Sequence, residues 1–138
     1  MCPNAFVPGG YLPIMMQDLI AAIDLGSNSF RLQVGRIVND QIYPLDGLKE
    51  AVRLAAGLSP EKWLDMEAQQ RGVAALRRFN ERLNGFPRDS VRVVATNTLR
   101  VSKNAQEFLI RAEAALGFPI EVIAGREEAR LIYVGVAH

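Results

Sequence analysis

The chain has 138 residues, 49% of them hydrophobic and 22% charged, which suits one globular domain and excludes a disordered polyelectrolyte. A net charge of +1 supplies no global basic field for nucleic acid or a membrane surface, and no stretch reaches transmembrane length. Cys2 is the only cysteine, so a disulfide framework or a cysteine-based metal site within the chain is excluded, and a reducing, cytoplasmic compartment is expected.

Residues 1–17 carry three prolines and two glycines with little periodicity, and lack the charged and apolar regions of a signal peptide. They are predicted to be a disordered tail, with one lobe over residues 18–138. The lobe opens on a buried strand over 18–24 that ends on a carboxylate, Asp24. A turn of Gly26, Ser27, Asn28 and Ser29 follows, and a second strand over 30–38 alternates Phe30, Leu32 and Val34 against Arg31, Gln33 and Gly35. Such a turn offers N–H groups and hydroxyls to an anion, and the carboxylate beside it can hold a divalent ion through water. The bland alternative is an ordinary hairpin.

Asn39-Asp40 is a predicted turn, and 41–46 a third strand. Lys49 to Ala55 alternates weakly, as a further strand or an extended loop. Ser59-Pro60-Glu61 reads as a helix start. From Met66 to Leu83 a helix carries its apolar stripe on Ala68, Gly72, Ala75, Leu76, Phe79 and Leu83, and Asn84-Gly85 stops it. Arg71, Arg78 and Arg82 share one of its faces, as a solvated surface or as a contact for a polyanion. Trp63 reads as a packing residue.

A strand over 90–95 then runs into Thr96, Asn97, Thr98 and Arg100. Ligand groups collect at strand carboxyl ends in such sheets, and an arginine fork suits phosphate. Asn104 with Glu107 resembles a capping box opening a helix through Leu116, which Gly117 and Pro119 end. A strand over 120–124 delivers Gly125-Arg126-Glu127-Glu128, and the chain is predicted helical from Arg126. Acids in a first turn complement the helix dipole. Glu128 shares its spacing with Leu131, Ile132 and Gly135, so it faces the packed side and is also a candidate base. His138, at the terminus, receives no role. The element order predicts an α/β fold, a mixed sheet with helices packed on it.

Taken together, Ala22 to Leu32, Lys49-Glu50 with Val52-Arg53-Leu54 and Gly57-Leu58, Ala95-Thr96 with Thr98-Leu99-Arg100, and Ile120 to Leu131 resemble the exopolyphosphatase/guanosine pentaphosphate phosphohydrolase family. The resemblance runs from about Ala21 to His138. It implies an actin-like ATPase (ribonuclease H-like) lobe with a mixed five-stranded sheet, and removal of terminal phosphate from inorganic polyphosphate or guanosine pentaphosphate with Mg²⁺. By motif, Glu128 corresponds to the catalytic base and Arg100 to the phosphate-contacting arginine. Gly26, Ser27, Asn28 and Ser29 correspond to the first phosphate loop, with Thr96 and Thr98 as further substrate contacts. Asp24 corresponds to the acidic residue near the metal.

The family continues into a second Gly-rich phosphate loop and a second lobe that this sequence does not include, so the chain is expected to be the N-terminal lobe. A non-catalytic phosphate-binding lobe is therefore the alternative for this stretch alone. Phe118-Pro119-Ile120-Glu121 and Asn80 to Phe86 lean toward exopolyphosphatases. A homodimer of the full-length protein stays open, through an exposed lobe face.

Overall fold

A computed structural model describes residues 19–124. Strands β1 (Leu19–Leu25), β2 (Ser29–Val38) and β3 (Gln41–Ala51) form an antiparallel meander, and β4 (Val91–Ala95) and β5 (Glu121–Val122) add parallel strands beyond β1. The sheet order is β3-β2-β1-β4-β5, the mixed five-stranded arrangement expected of an actin-like, ribonuclease H-like lobe. The helices are α1 (Met66–Arg82), the short α2 (Asn97–Val101) and α3 (Ala105–Leu116). The predicted tail and the predicted terminal helix lie outside the described residues.

Alternation decides which sheet face is covered. Ile23, Leu25, Phe30, Leu32 and Val93 point one way and are essentially buried. They meet the α1 stripe of Ala68, Ala75, Leu76 and Phe79 and the α3 stripe of Phe108, Ala112 and Leu116. Each fully buried Leu or Phe contributes about 1.5–3 kcal/mol by leaving water. Gly72 lets α1 and α3 approach: a Cβ there would lie 2.9 Å from Phe108 Cζ. Helix α3 ends on Gly117 in the left-handed region, φ +90°, as its sequence predicts.

Three local expectations need correction. Ser59-Pro60-Glu61 starts a turn, not a helix: Ser59 Oγ accepts from the Trp63 N–H at 3.0 Å, and Leu58 pairs back with Leu64. The helix begins after Asp65, whose side chain accepts from the Ala68 N–H at 2.8 Å. Asn104 precedes α3 but does not cap it. Its amide pairs with the Leu64 backbone like another peptide group, donating to the carbonyl and accepting from the N–H at 2.9 Å each. Trp63 is 52% exposed, because the turn that holds it projects from the core.

Arg71, Arg78 and Arg82 lie on a solvent-exposed face of α1, as expected, and each also makes a contact with the chain. Arg71 donates to the Val52 and Arg53 carbonyls at 2.8 and 3.1 Å, and Arg78 grips Glu50 with two bonds of 2.8 Å. Arg82 pairs with Asp46. All three reach strand β3 or the loop leaving it. The Arg78 fork holds the Glu50 carboxyl below its ordinary value, first by hydrogen bonding and then by charge.

Candidate functional site

The parallel strands β1 and β4 end side by side, with Leu25 opposite Ala95. Strand β1 passes into the turn 26–28, and β4 passes through Thr96 into α2. The Thr96 N–H donates to the Leu25 carbonyl at 3.4 Å. The two predicted clusters therefore share the carboxyl edge of the sheet, where α/β proteins collect ligand groups. A direct link joins them: Thr98 Oγ1 donates to Ser27 Oγ at 2.7 Å. Thr98 is 4% exposed, so its hydroxyl is committed to that contact.

The turn itself is tightly drawn. A Cβ on Gly26 would stand 3.0 Å from the Ser29 carbonyl oxygen, so only glycine fits without backbone adjustment. The Gly26 N–H donates to that same oxygen at 3.0 Å, which removes it from the donors expected for an anion. The N–H groups of Ser27 and Asn28 make no hydrogen bond among the described residues. Ser27 and Ser29 are half-buried and Asn28 is exposed. The turn thus presents two backbone donors and the Ser29 hydroxyl.

Asp24 is half-buried, on the face of β1 opposite Ile23 and Leu25. It lies in register with Arg31 on β2, and Arg31 with Lys49 on β3, so a row reads Lys49, Arg31, Asp24 across the sheet. Arg100 is exposed at the end of α2 and donates to Asn97 Oδ1 at 3.2 Å. Thr96 is half-buried at the β4 exit. The Ile123 N–H donates to the Ala95 carbonyl at 2.9 Å, so the chain after β5 also leaves from this edge. Glu128 lies outside the described residues.

Among the described residues no three His, Cys, Asp or Glu side chains gather into a metal cage. Mg²⁺ is commonly held by one or two carboxylates with water and substrate phosphates supplying the rest. A half-buried carboxylate at the carboxyl end of β1, as Asp24 is, has the chemistry for that ion as the companion of a bound phosphate.

Sequence reasoning missed three features here. Helix α2 has five residues, too few for a periodic signal. The Lys49–Arg31 pairing needs the strand register. The segment after β3 closes on the turn: the Val52 and Arg53 N–H groups donate to the Asn28 carbonyl at 3.0 and 2.8 Å, and the Ala55 N–H to the Ser27 carbonyl at 3.0 Å. Its only sequence signal was the Val52-Arg53-Leu54 match noted above.

Residues 33–138 match the model of the Ppx/GppA phosphatase family. The fold is similar to an exopolyphosphatase from Cytophaga hutchinsonii, with a TM-score of 0.75 and 32% identity over 86% of this chain and 38% of that one. A Ppx/GppA family member from Aquifex aeolicus gives 0.74 and 28% identity, over 86% of this chain and 39% of that one. An exopolyphosphatase-like protein gives 0.73 and 34% identity, over 82% and 34%. The chain therefore spans little more than a third of each of these solved structures.

Proposed function

Because the chain belongs to the Ppx/GppA phosphatase family, we propose that it forms the phosphate-binding lobe of an exopolyphosphatase that removes terminal phosphate from inorganic polyphosphate. The carrying observation is the 2.7 Å link between Ser27 and Thr98, which draws the turn and α2 into one polar surface. The free N–H groups of Ser27 and Asn28, with the Ser29 hydroxyl, bind the terminal phosphate. Gly26 keeps the turn tight enough to present them, and the Thr96 and Thr98 hydroxyls border the same surface.

Arg100 swings from its long contact with Asn97 to grip phosphoryl oxygens as a fork. Asp24 would hold Mg²⁺, and the ion when bound would neutralise charge on the phosphoryl oxygens. Water attacks the terminal phosphorus and Glu128 takes its proton. The bond to the bridging oxygen breaks, so orthophosphate leaves with a shortened chain. Cys2 as the lone cysteine is compatible with a cytoplasmic site of action.

The test uses the protein that carries this lobe together with its second lobe. Glu128→Gln should lower turnover roughly 10²–10⁴-fold with little change in substrate affinity, because the amide keeps shape and loses basicity. Undiminished turnover would reject the assignment of the base. Phosphate release from guanosine pentaphosphate but not from long-chain polyphosphate would reject the substrate.

A further inference from the structure

The turn that joins β1 to β2 has two flanks. The sheet order places β4 and α2 on one side and the end of β3 on the other. Arg53 stands on the β3 flank, bonded through its N–H to the Asn28 carbonyl at 2.8 Å. Its φ is +56°, a region that costs a side-chain-bearing residue about 1–2 kcal/mol. Of the other non-glycine residues with positive φ among the described ones, Asn39 and Asp40 turn the β2–β3 hairpin and Lys62 closes a surface turn.

Strain of this kind persists only where the surroundings over-determine it. Here they do. Val52 and Leu54, on either side, are 2% and 0% exposed and locked in the core. Arg71 spends its fork on the carbonyls of Val52 and Arg53, at 2.8 and 3.1 Å. The Ala56 N–H adds a third hold, on the Arg53 carbonyl at 3.2 Å. The Arg53 side chain is nonetheless exposed, and its guanidinium makes no hydrogen bond or ion pair among the described residues. The arginines of α1 named above are consumed in structural contacts, whereas this one is held in place and left open.

Charge around the edge is uneven in the same sense. Lys49 and Arg31 lie toward the β3 side of Asp24, while Glu121, at the β5 end of the same row, is paired with Arg92. The β3 flank thus offers cations to an anionic chain that leaves the turn on that side.

We infer that Arg53 is a specificity residue, binding an internal phosphate of a phosphoanhydride chain whose terminal phosphate occupies the 26–29 turn. The inference rests on the reading of that turn as the terminal-phosphate site. It explains why an arginine is kept where glycine would be relaxed: the strained backbone aims the cation, and the fork recognises a chain rather than a lone phosphate.

The experiment titrates long-chain polyphosphate into the purified chain over a series of salt concentrations. Arg53→Gly should bind about tenfold more weakly, the loss of one charge-assisted contact, while unfolding at an equal or higher denaturant midpoint. The slope of log affinity against log salt should fall by about one, as for the loss of one phosphate contact on a polyanion. Arg53→Lys should recover part of the affinity. Arg77→Ala, which removes an exposed charge from α1, should stay close to wild type. Pyrophosphate, with no internal phosphate, should be little affected by Arg53→Gly.

Binding by Arg53→Gly equal to wild type, or to Arg77→Ala, would overturn the inference and leave the turn intact as a site. Equal losses for pyrophosphate and polyphosphate would overturn the assignment to an internal phosphate. Failure of the wild-type chain to bind polyphosphate would instead remove the reading of the turn itself, and the inference with it.

Discussion

The Ser27–Thr98 contact makes an asymmetric prediction. Thr98 is 4% exposed, while Ser27 is half-buried and within reach of water. Thr98→Val removes the donor without changing shape, so no cavity opens. The remaining Ser27 hydroxyl turns to solvent, and the loss is one net hydrogen bond, about 1 kcal/mol. Ser27→Ala leaves the buried Thr98 hydroxyl without its partner, and that desolvated group costs about 1–3 kcal/mol. The less buried residue should therefore be the more costly one to change. With both replaced, no polar group is stranded, and the double variant should be about as stable as Thr98→Val alone. Urea unfolding of the four proteins measures this cycle, with a coupling of roughly 1–3 kcal/mol expected between the sites. Additive single effects, or a Thr98→Val loss larger than that of Ser27→Ala, would refute the claim that this bond joins turn and helix.

Gly72→Ala should destabilise the lobe by about 1 kcal/mol: the gain in helix propensity is outweighed by contact with Phe108, which is fully buried and cannot swing away. Thermal unfolding of the variant checks this, and a raised midpoint would contradict the α1–α3 packing. The Arg78–Glu50 pair should add about 1 kcal/mol or less, given its exposure to solvent. Because the pair lowers the Glu50 pKa, its contribution is present above the ordinary carboxylate range and lost as pH falls through the lowered value. The stability difference between wild type and Glu50→Gln should accordingly shrink in acid, and a difference independent of pH would contradict the pairing.

Legibility in the sequence followed the range of the forces involved. The strands β1, β2 and β4 and the helices α1 and α3 announced themselves because each buries one face, and burial writes a period into the chain. Strand β3 was underread: it is an edge strand whose residues are mostly exposed, so alternation fades although pairing runs to Ala51. Asn104 looked like a cap because a cap and a peptide mimic use the same amide, and only the tertiary position of Leu64 decides between them. The turn and the Thr96–Arg100 cluster were legible as motifs, but their contact spans seventy-one positions and follows from β1 pairing with β4. Arg53 was legible only as part of the Val52-Arg53-Leu54 match, and its conformation had no local sign, since it is imposed by Arg71 and by two buried neighbours.

The central claim is that the turn after β1 and the residues after β4 act as one phosphate site. Amide NMR of the chain during titration with polyphosphate tests it most directly. The account predicts saturable shifts at Ser27 and Asn28 together with Thr96 to Arg100, following a single binding curve, while the amides of α3 stay unmoved. Shifts spread over exposed cations such as Arg77 and Arg88, with Ser27 and Asn28 still, would contradict it.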